Sequence, residues 1–257
     1  MPIKISATVI TFNEAKNIKA CLSSLQNVVD EIVLVDSFSS DETIAIAEQF
    51  NCSIYKNLFI NFLNQKEFAD SKTTNNWVLN IDADERLSTE LQQSILQFKN
   101  SGDIETGAFK MNRLNYIGHI AVKCCGWYPD KKLRLYKNEA IKWAGGSVHA
   151  HPKAKSRVVV KNLTGDLIHY SYINKVDFIE RQKKYAKAIA QEKFNAGKTT
   201  NLFKLYTKPV FQFFKLFVLK GGLFNREFGY FLSKGLAKER FLREQYLWYL
   251  HKERKDT

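Results

Sequence analysis

The sequence predicts an α/β protein: an open, mostly parallel sheet flanked by helices, followed by a helical, basic and aromatic C-terminal region. Three observations predict it. Strand-like and helix-like segments alternate through roughly the first hundred residues. Polar side chains recur just after the strand-like runs, where open α/β sheets bind ligands. From Lys198 onward, thirteen basic residues accompany only five acidic ones, set among Phe, Leu and Tyr.

Residues 3–12, IKISATVITF, form a β-branched run that reads as a buried strand. NEAKNIKACLSSL then carries Ile18, Leu22 and Leu25 at helical spacing. Ile32–Val35 is a second strand ending at Asp36, and Ser40 or Asp41 would cap the next helix, ETIAIAEQF. CSIYKN is a third strand, NFLNQKEFADSKTTN a helix, and residues 77–81 a fourth strand. The middle is less regular. AFKMNRLNYI and KKLRLYKN read as strands around the loop CCGWYPDKK, and RVVVKNLTGDLIHYSY as a strand pair. A long helix follows from about Asn174 to Asn195. The expected division is residues 1–173 as the α/β domain and 174–257 as the helical region.

In NLFKLYTKPVFQFFKLFVL, Lys204, Lys208, Gln212 and Lys215 make one polar stripe on a helix, with Pro209 marking a kink or a helix start. A wide aromatic face with a lysine stripe suits a helix lying in a membrane interface. A helix packed on the α/β core with its lysines in solvent fits the pattern equally well. Trp248 and several Tyr continue the theme to the C-terminus.

The 257 residues carry a formal charge of +13, which implies an anionic partner: nucleic acid, a phosphate-bearing small molecule, or an anionic membrane surface. Cys21, Cys52, Cys124 and Cys125 include no C-x-x-C pair and read as free thiols of a reducing compartment. The first residues, MPIKISATVITFNE, lack the apolar core of a secretory leader, and no run of 18 apolar residues is present, so the expectation is a protein kept inside the cell without a spanning helix. The chain has no G-x-G-x-x-G after its first strand and no G-x-x-x-x-G-K-[ST], which excludes the usual dinucleotide and P-loop cradles.

The chemistry concentrates in WVLNIDADERLS, residues 77–88, where an apolar strand runs into Asp82, Asp84 and Glu85. Carboxylates this close repel one another, so a cation is expected among them. Residues i and i+2 of an extended segment share a face, which lets Asp82 and Asp84 address one ion. Oxygen ligands with open positions suit Mg²⁺ or Mn²⁺ holding a diphosphate. The bland alternative is a solvated turn whose Asp caps the helix in ERLSTELQQSIL.

Together, VITFNEAKNIKACLSSL, DEIVLVDSFSSDETIAIA, NQKEFA and WVLNIDADERL resemble the family 2 glycosyltransferases of the GT-A (Rossmann-like) fold. GWYPDKKLRLYKN, VH, LIHYSY and KGGLFNREFGYFLSKGLA resemble the subgroup acting on lipopolysaccharide core and related surface glycans, which includes β-1,4-glucosyltransferases. The resemblance implies an inverting enzyme with a nucleotide-sugar donor (a UDP-sugar), a divalent metal, and a lipid-linked or lipopolysaccharide glycan acceptor. It would be cytoplasmic and peripheral on the inner face of the membrane, meeting anionic lipid and no nucleic acid.

Residue by residue, the resemblance implies that Thr11 and Glu14 line the nucleotide pocket and Asp36 binds the base. Lys66 would lie near the donor, Asp82 would contact ribose or metal, and Asp84 would be the principal metal ligand. His149 would complete the metal or diphosphate site, and Arg134 would balance the diphosphate or the acidic cluster. Asp130 is the candidate general base, with Trp127 and Tyr128 beside it on the acceptor side. One departure stands out: the subgroup's VH is often followed by Glu, but here by Ala150. Two other classes remain in view. A metal-dependent nucleotidyltransferase would normally need an N-terminal Gly-rich phosphate loop, which is missing. A basic nucleic-acid-binding protein would have to tolerate acidic strand ends.

Overall fold

The computed structural model describes residues 2–103, 105–145 and 150–253. The chain divides into two compact units, Met1–Leu114 with Asp130–Tyr170, and Asn115–Pro129 with Ser171–Thr257.

The first unit alternates as the sequence predicts: β1 (Ile5–Thr11), α1 (Ile18–Leu25), β2 (Glu31–Asp36), α2 (Thr43–Ala47), β3 (Ser53–Lys56), α3 (Phe62–Ser71) and β4 (Trp77–Asp82). Then come β5 (Glu85–Leu87), α4 (Thr89–Ser101), β6 (Thr106–Ile117), β7 (Ile120–Ala121), β8 (Asp130–Lys137), β9 (Ile141–Ala144), β10 (His151–Ala154) and β11 (Val159–Tyr172). β6 and β11 cross the unit boundary, and β7 belongs to the second unit.

The main sheet runs β3-β2-β1-β4-β8-β6-β11-β5, and β9 and β10 pair separately. β3, β2, β1 and β4 are mutually parallel, which sets Thr11 beside Asp36 and Ile10 beside Asp82 at one end of the sheet. β1 and β4 are almost wholly buried because helices cover both faces, which is why their sequences are continuous apolar runs. The core joins Ile5, Val9, Leu22, Leu25, Leu34 and Leu79 to Leu91 and Ile95 of α4.

Three local expectations change. RVVVKNLTGDLIHYSY is not a strand pair; Val159–Tyr172 is one strand. Gly165 lies within it at φ +91°, where a Cβ would fall 2.3 Å from the Leu91 backbone nitrogen, so only glycine lets β11 pass the start of α4. The helix after the acidic run is capped by Ser88, whose side chain accepts from Leu91 N; no Asp caps it, and Glu85–Leu87 is a strand paired with β11. Pro209 sits inside a helix that starts earlier, at Leu202, under an Asn201 cap.

The second unit packs α5 (Lys175–Asn195), α6 (Leu202–Phe214) and α7 (Arg226–Glu253) with the Asn115–Pro129 segment. Its core gathers Val122, Cys124, Cys125, Phe178, Leu216 and Leu232. α6 buries Leu205 but leaves much of its apolar surface exposed. The Lys208 ammonium reaches inward to Glu244 of α7 at 2.9 Å, while Phe203 is 75% and Phe211 64% exposed. Tyr206, Val210 and Phe214 are exposed with them. The four cysteines are free. Among the described residues, no helix is long and apolar enough to cross a membrane.

Candidate functional site

The like-charge problem at residues 82–85 is answered by the protein's own cations. The turn between β4 and β5 brings the Glu85 carboxylate back onto Asp82 N at 3.0 Å. The Arg134 Nη2 donates to Asp82 Oδ2 and to Glu85 Oε1, both at 2.7 Å, while its Nη1 donates to Asn80 Oδ1 at 2.8 Å. The Lys66 Nζ donates to the other Asp82 oxygen and, at 2.8 Å, to Asn80 Oδ1. Burial would raise the Asp82 pKa, but Arg134 and Lys66 hold it well below the usual carboxylate range. Burial lowers the Lys66 pKa against the pull of Asp82. Of the two roles open to Arg134, balancing the acidic cluster is the one seen.

Asp84 is different. Its carboxylate meets the imidazole of His169 at 3.1 Å, because β11 pairs antiparallel with β5 and sets His169 opposite Glu85. Burial would lower the His169 pKa; the Asp84 carboxylate overrides it and raises it. Asp84 and His169 line a cavity of about 670 Å³ together with Thr11, Glu14, Asp82 and Arg113. Phe12, Phe59 and Phe62, all substantially exposed, form its apolar wall. The buried Thr11 hydroxyl oxygen has no hydrogen-bond partner among the described residues, an uncommon state for a buried polar atom.

The other expected residues fall as follows. Asp36 is fully buried at the end of β2, with both oxygens engaged by Ser39; its neighbour Ser37 lines the cavity instead. Asp130 pairs with Arg113 and Lys132, each at 2.9 Å. Trp127 and Tyr128 belong to the second unit, where the Trp127 ring lies 6.1 Å from the rings of Tyr172 and Phe178. His149 lies outside the described residues. The histidine against Asp84 in the structure is His169.

Sequence reasoning missed His169, Arg113 and the polar layer below them. Arg113 sits at the centre: it pairs with Asp130 and lies 3.7 Å from Glu85. Asn80, hidden in an apolar run, accepts from both Lys66 and Arg134 and donates to Thr8 at 3.1 Å. Asp70 accepts from Tyr136 at 2.8 Å and Trp143 at 2.9 Å, and burial raises its pKa despite those donors. The signal for His169 was its place in LIHYSY; its partner depends on strand pairing, which no local pattern reveals.

Among the described residues there is no group of three or more His, Cys, Asp or Glu able to hold a metal, and both Asp82 oxygens are taken. Asp84 with His169 remains as a hard oxygen and an imidazole lining the cavity. That pair fits an ion such as Mg²⁺ or Mn²⁺ that completes its shell with water and phosphate oxygens.

A strand-end cavity lined by acidic, cationic and aromatic side chains stands where open α/β sheets bind their ligands. The chain belongs to glycosyl transferase family 2: the "Glycosyl transferase family 2" model matches residues 6–110, and a Rickettsia felis protein described as an uncharacterized glycosyltransferase is 32% identical over 93% of this chain and 88% of its own length. The Rhizobium meliloti lipopolysaccharide core biosynthesis glycosyltransferase LpsC is 26% identical over 85% of this chain and 82% of its own. Among solved structures, a Pyrobaculum calidifontis mannosyltransferase in complex with GDP-mannose and Mn²⁺ is similar over 78% of this chain and 67% of its own, at 14% identity and a TM-score of 0.48.

Proposed function

We propose that this glycosyltransferase is inverting and moves a sugar from a UDP-sugar to a lipopolysaccharide-core or other surface-glycan acceptor. The observation that carries the donor half is the 670 Å³ cavity at the strand ends, with the unpartnered Thr11 hydroxyl and the Asp84–His169 pair on its wall. Phe12, Phe59 and Phe62 offer flat apolar surface to a nucleobase. Asp36, by holding Ser39, shapes the loop after β2 that borders the base. The lipopolysaccharide-core relative supports the acceptor class.

When bound at Asp84 and His169, a divalent cation would neutralise the charge that develops on the leaving diphosphate. Everything else falls to the chain. Thr11 and Glu14 orient the nucleotide. Lys66 and Arg134 fix Asp82 in its ionised form and add positive potential near the diphosphate. The acceptor hydroxyl oxygen bonds to the donor sugar's C1 as the bond from C1 to the diphosphate oxygen breaks on the opposite face, releasing UDP. The hydroxyl proton passes to a carboxylate. Asp130 is the base in this reading, exchanging its contact with the flexible Lys132 for the hydroxyl.

The outward aromatic face of α6 supports docking on an anionic membrane surface. Phe203, Tyr206, Val210, Phe211 and Phe214 are exposed, and Lys204, Lys215 and Lys220 beside them match anionic headgroups. Release of UDP from a panel of UDP-sugars, with purified lipopolysaccharide core as acceptor, tests the reading. Transfer with one UDP-sugar supports it. Release of pyrophosphate from a nucleoside triphosphate, with no transfer from any UDP-sugar, replaces it with a nucleotidyltransferase.

A further inference from the structure

A second cavity, of about 680 Å³, meets the first at Phe62, Asp82 and Arg113, which line both. Seven of its fifteen lining residues are Lys or Arg. Lys110 comes from β6, Lys131 and Lys132 from β8, and Lys153 from β10, alongside Lys66, Arg113 and Arg134. The one acidic residue on the wall, Asp82, is already held by Lys66 and Arg134. Arg113 and Lys132 share Asp130. Lys110, Lys131 and Lys153 have no ion-pair partner among the described residues.

Gathering three uncompensated ammonium groups into one concavity works against folding, since like charges there repel more strongly than on an open surface. The same arrangement concentrates an anion. The donor's nucleotide and diphosphate have their place in the first cavity, by Thr11, Asp84 and His169, so the cations of the second are left for the other substrate. Lysines act as point charges with rotatable donors, which suits a tetrahedral phosphate.

We propose that this basic cavity is the acceptor subsite and that the acceptor glycan bears a phosphate monoester. Lys110, Lys131 and Lys153 recognise the phosphate while the sugar's free hydroxyl reaches the strand-end site across Asp82. This deepens the glycosyltransferase reading above and rests on it for the role of the first cavity.

The test uses full-length protein and three soluble probes, glucose 6-phosphate, glucose and glucuronate, titrated in parallel with UDP. Wild type should bind glucose 6-phosphate and show no saturation with glucose. The double variant Lys131→Gln/Lys153→Gln, both changes in solvent-accessible side chains, should weaken glucose 6-phosphate at least tenfold while UDP affinity changes less than twofold. Equal glucose 6-phosphate affinity in variant and wild type would overturn the proposal, as would no binding to wild type. A parallel loss of UDP affinity would reassign the cavity to the donor diphosphate. Glucuronate bound as tightly as glucose 6-phosphate would overturn the choice of phosphate. Failure of the donor reading appears separately, as wild type that binds no UDP but still binds the sugar phosphate.

Discussion

The Nε2 of His169 lies 3.1 Å from a carboxylate oxygen of Asp84, across the pairing of β11 with β5. These residues are 85 apart in sequence, and together they line the strand-end cavity, where they are the proposed metal ligands. His169→Ala should therefore weaken metal-dependent UDP binding by about 10- to 100-fold, the usual cost of losing a group at a metal site. Calorimetry at fixed Mn²⁺ checks it, and unchanged affinity would remove His169 from the site.

Arg134 is the structural keystone of the acidic turn. It is 6% exposed, and it pairs with Asp82 and the buried Glu85. Arg134→Ala leaves Glu85 without its closest cation in the interior, where removal of one partner costs about 3–5 kcal/mol. Urea denaturation should show that loss, with Arg134→Lys recovering only part of it because an ammonium cannot reproduce the planar fork. A loss under about 1 kcal/mol would mean that water already reaches these carboxylates.

In the second unit, Glu244 accepts from Thr200 at 2.6 Å and Lys208 at 2.9 Å, with Lys193 at 3.5 Å and Arg240 at 3.7 Å. Burial would raise its pKa, but these donors lower it to about 2. Its folded pKa is thus below the unfolded one. The stability it contributes is present above the ordinary glutamate range and is lost as pH falls toward 2. Glu244→Gln should be less stable than wild type at pH 7, and the gap in thermal midpoint should narrow steadily below about pH 4.5. A gap independent of pH would contradict this.

How much of this was legible follows the range of the interactions. β1, β2, β3 and β4 could be read because strands buried on both faces are apolar runs, and their ends carry the polar residues. Lys66 and Arg134 were picked out as site residues, and the acidic cluster as one role for Arg134, but the pairing of Lys66 with Asp82 and both contacts with Asn80 were not, since they span up to 54 residues. β11 reads as two strands because Gly165-Asp166 looks like a turn; the glycine is there for the close passage by Leu91. The polar stripe of α6 was visible, but Lys208 turns inward to Glu244 while Lys204 and Lys215 stay exposed, and only the packing of α7 could show that.

The exposed face of α6 gives a membrane prediction. Phe203→Ser/Phe211→Ser removes two large side chains that are 75% and 64% exposed. Folding should be untouched, while co-sedimentation with vesicles containing anionic lipid should fall several-fold. Equal partitioning of variant and wild type would leave α6 without a role at the membrane.

Asp130→Asn tests the proposed base. The amide oxygen can accept from only one of Arg113 and Lys132, and the group accepts no proton, so kcat should fall by about 10²–10⁴ with UDP affinity unchanged. A kcat within twofold of wild type would assign Asp130 to ion pairing alone.

The most direct measurement is a calorimetric titration of UDP into wild type and Asp84→Ala, each with Mn²⁺ and again with EDTA. Wild type should bind UDP saturably and only with Mn²⁺, and Asp84→Ala should lose that binding with an unchanged thermal midpoint. UDP binding to wild type that is equally tight in EDTA, or unaffected by Asp84→Ala, would contradict it.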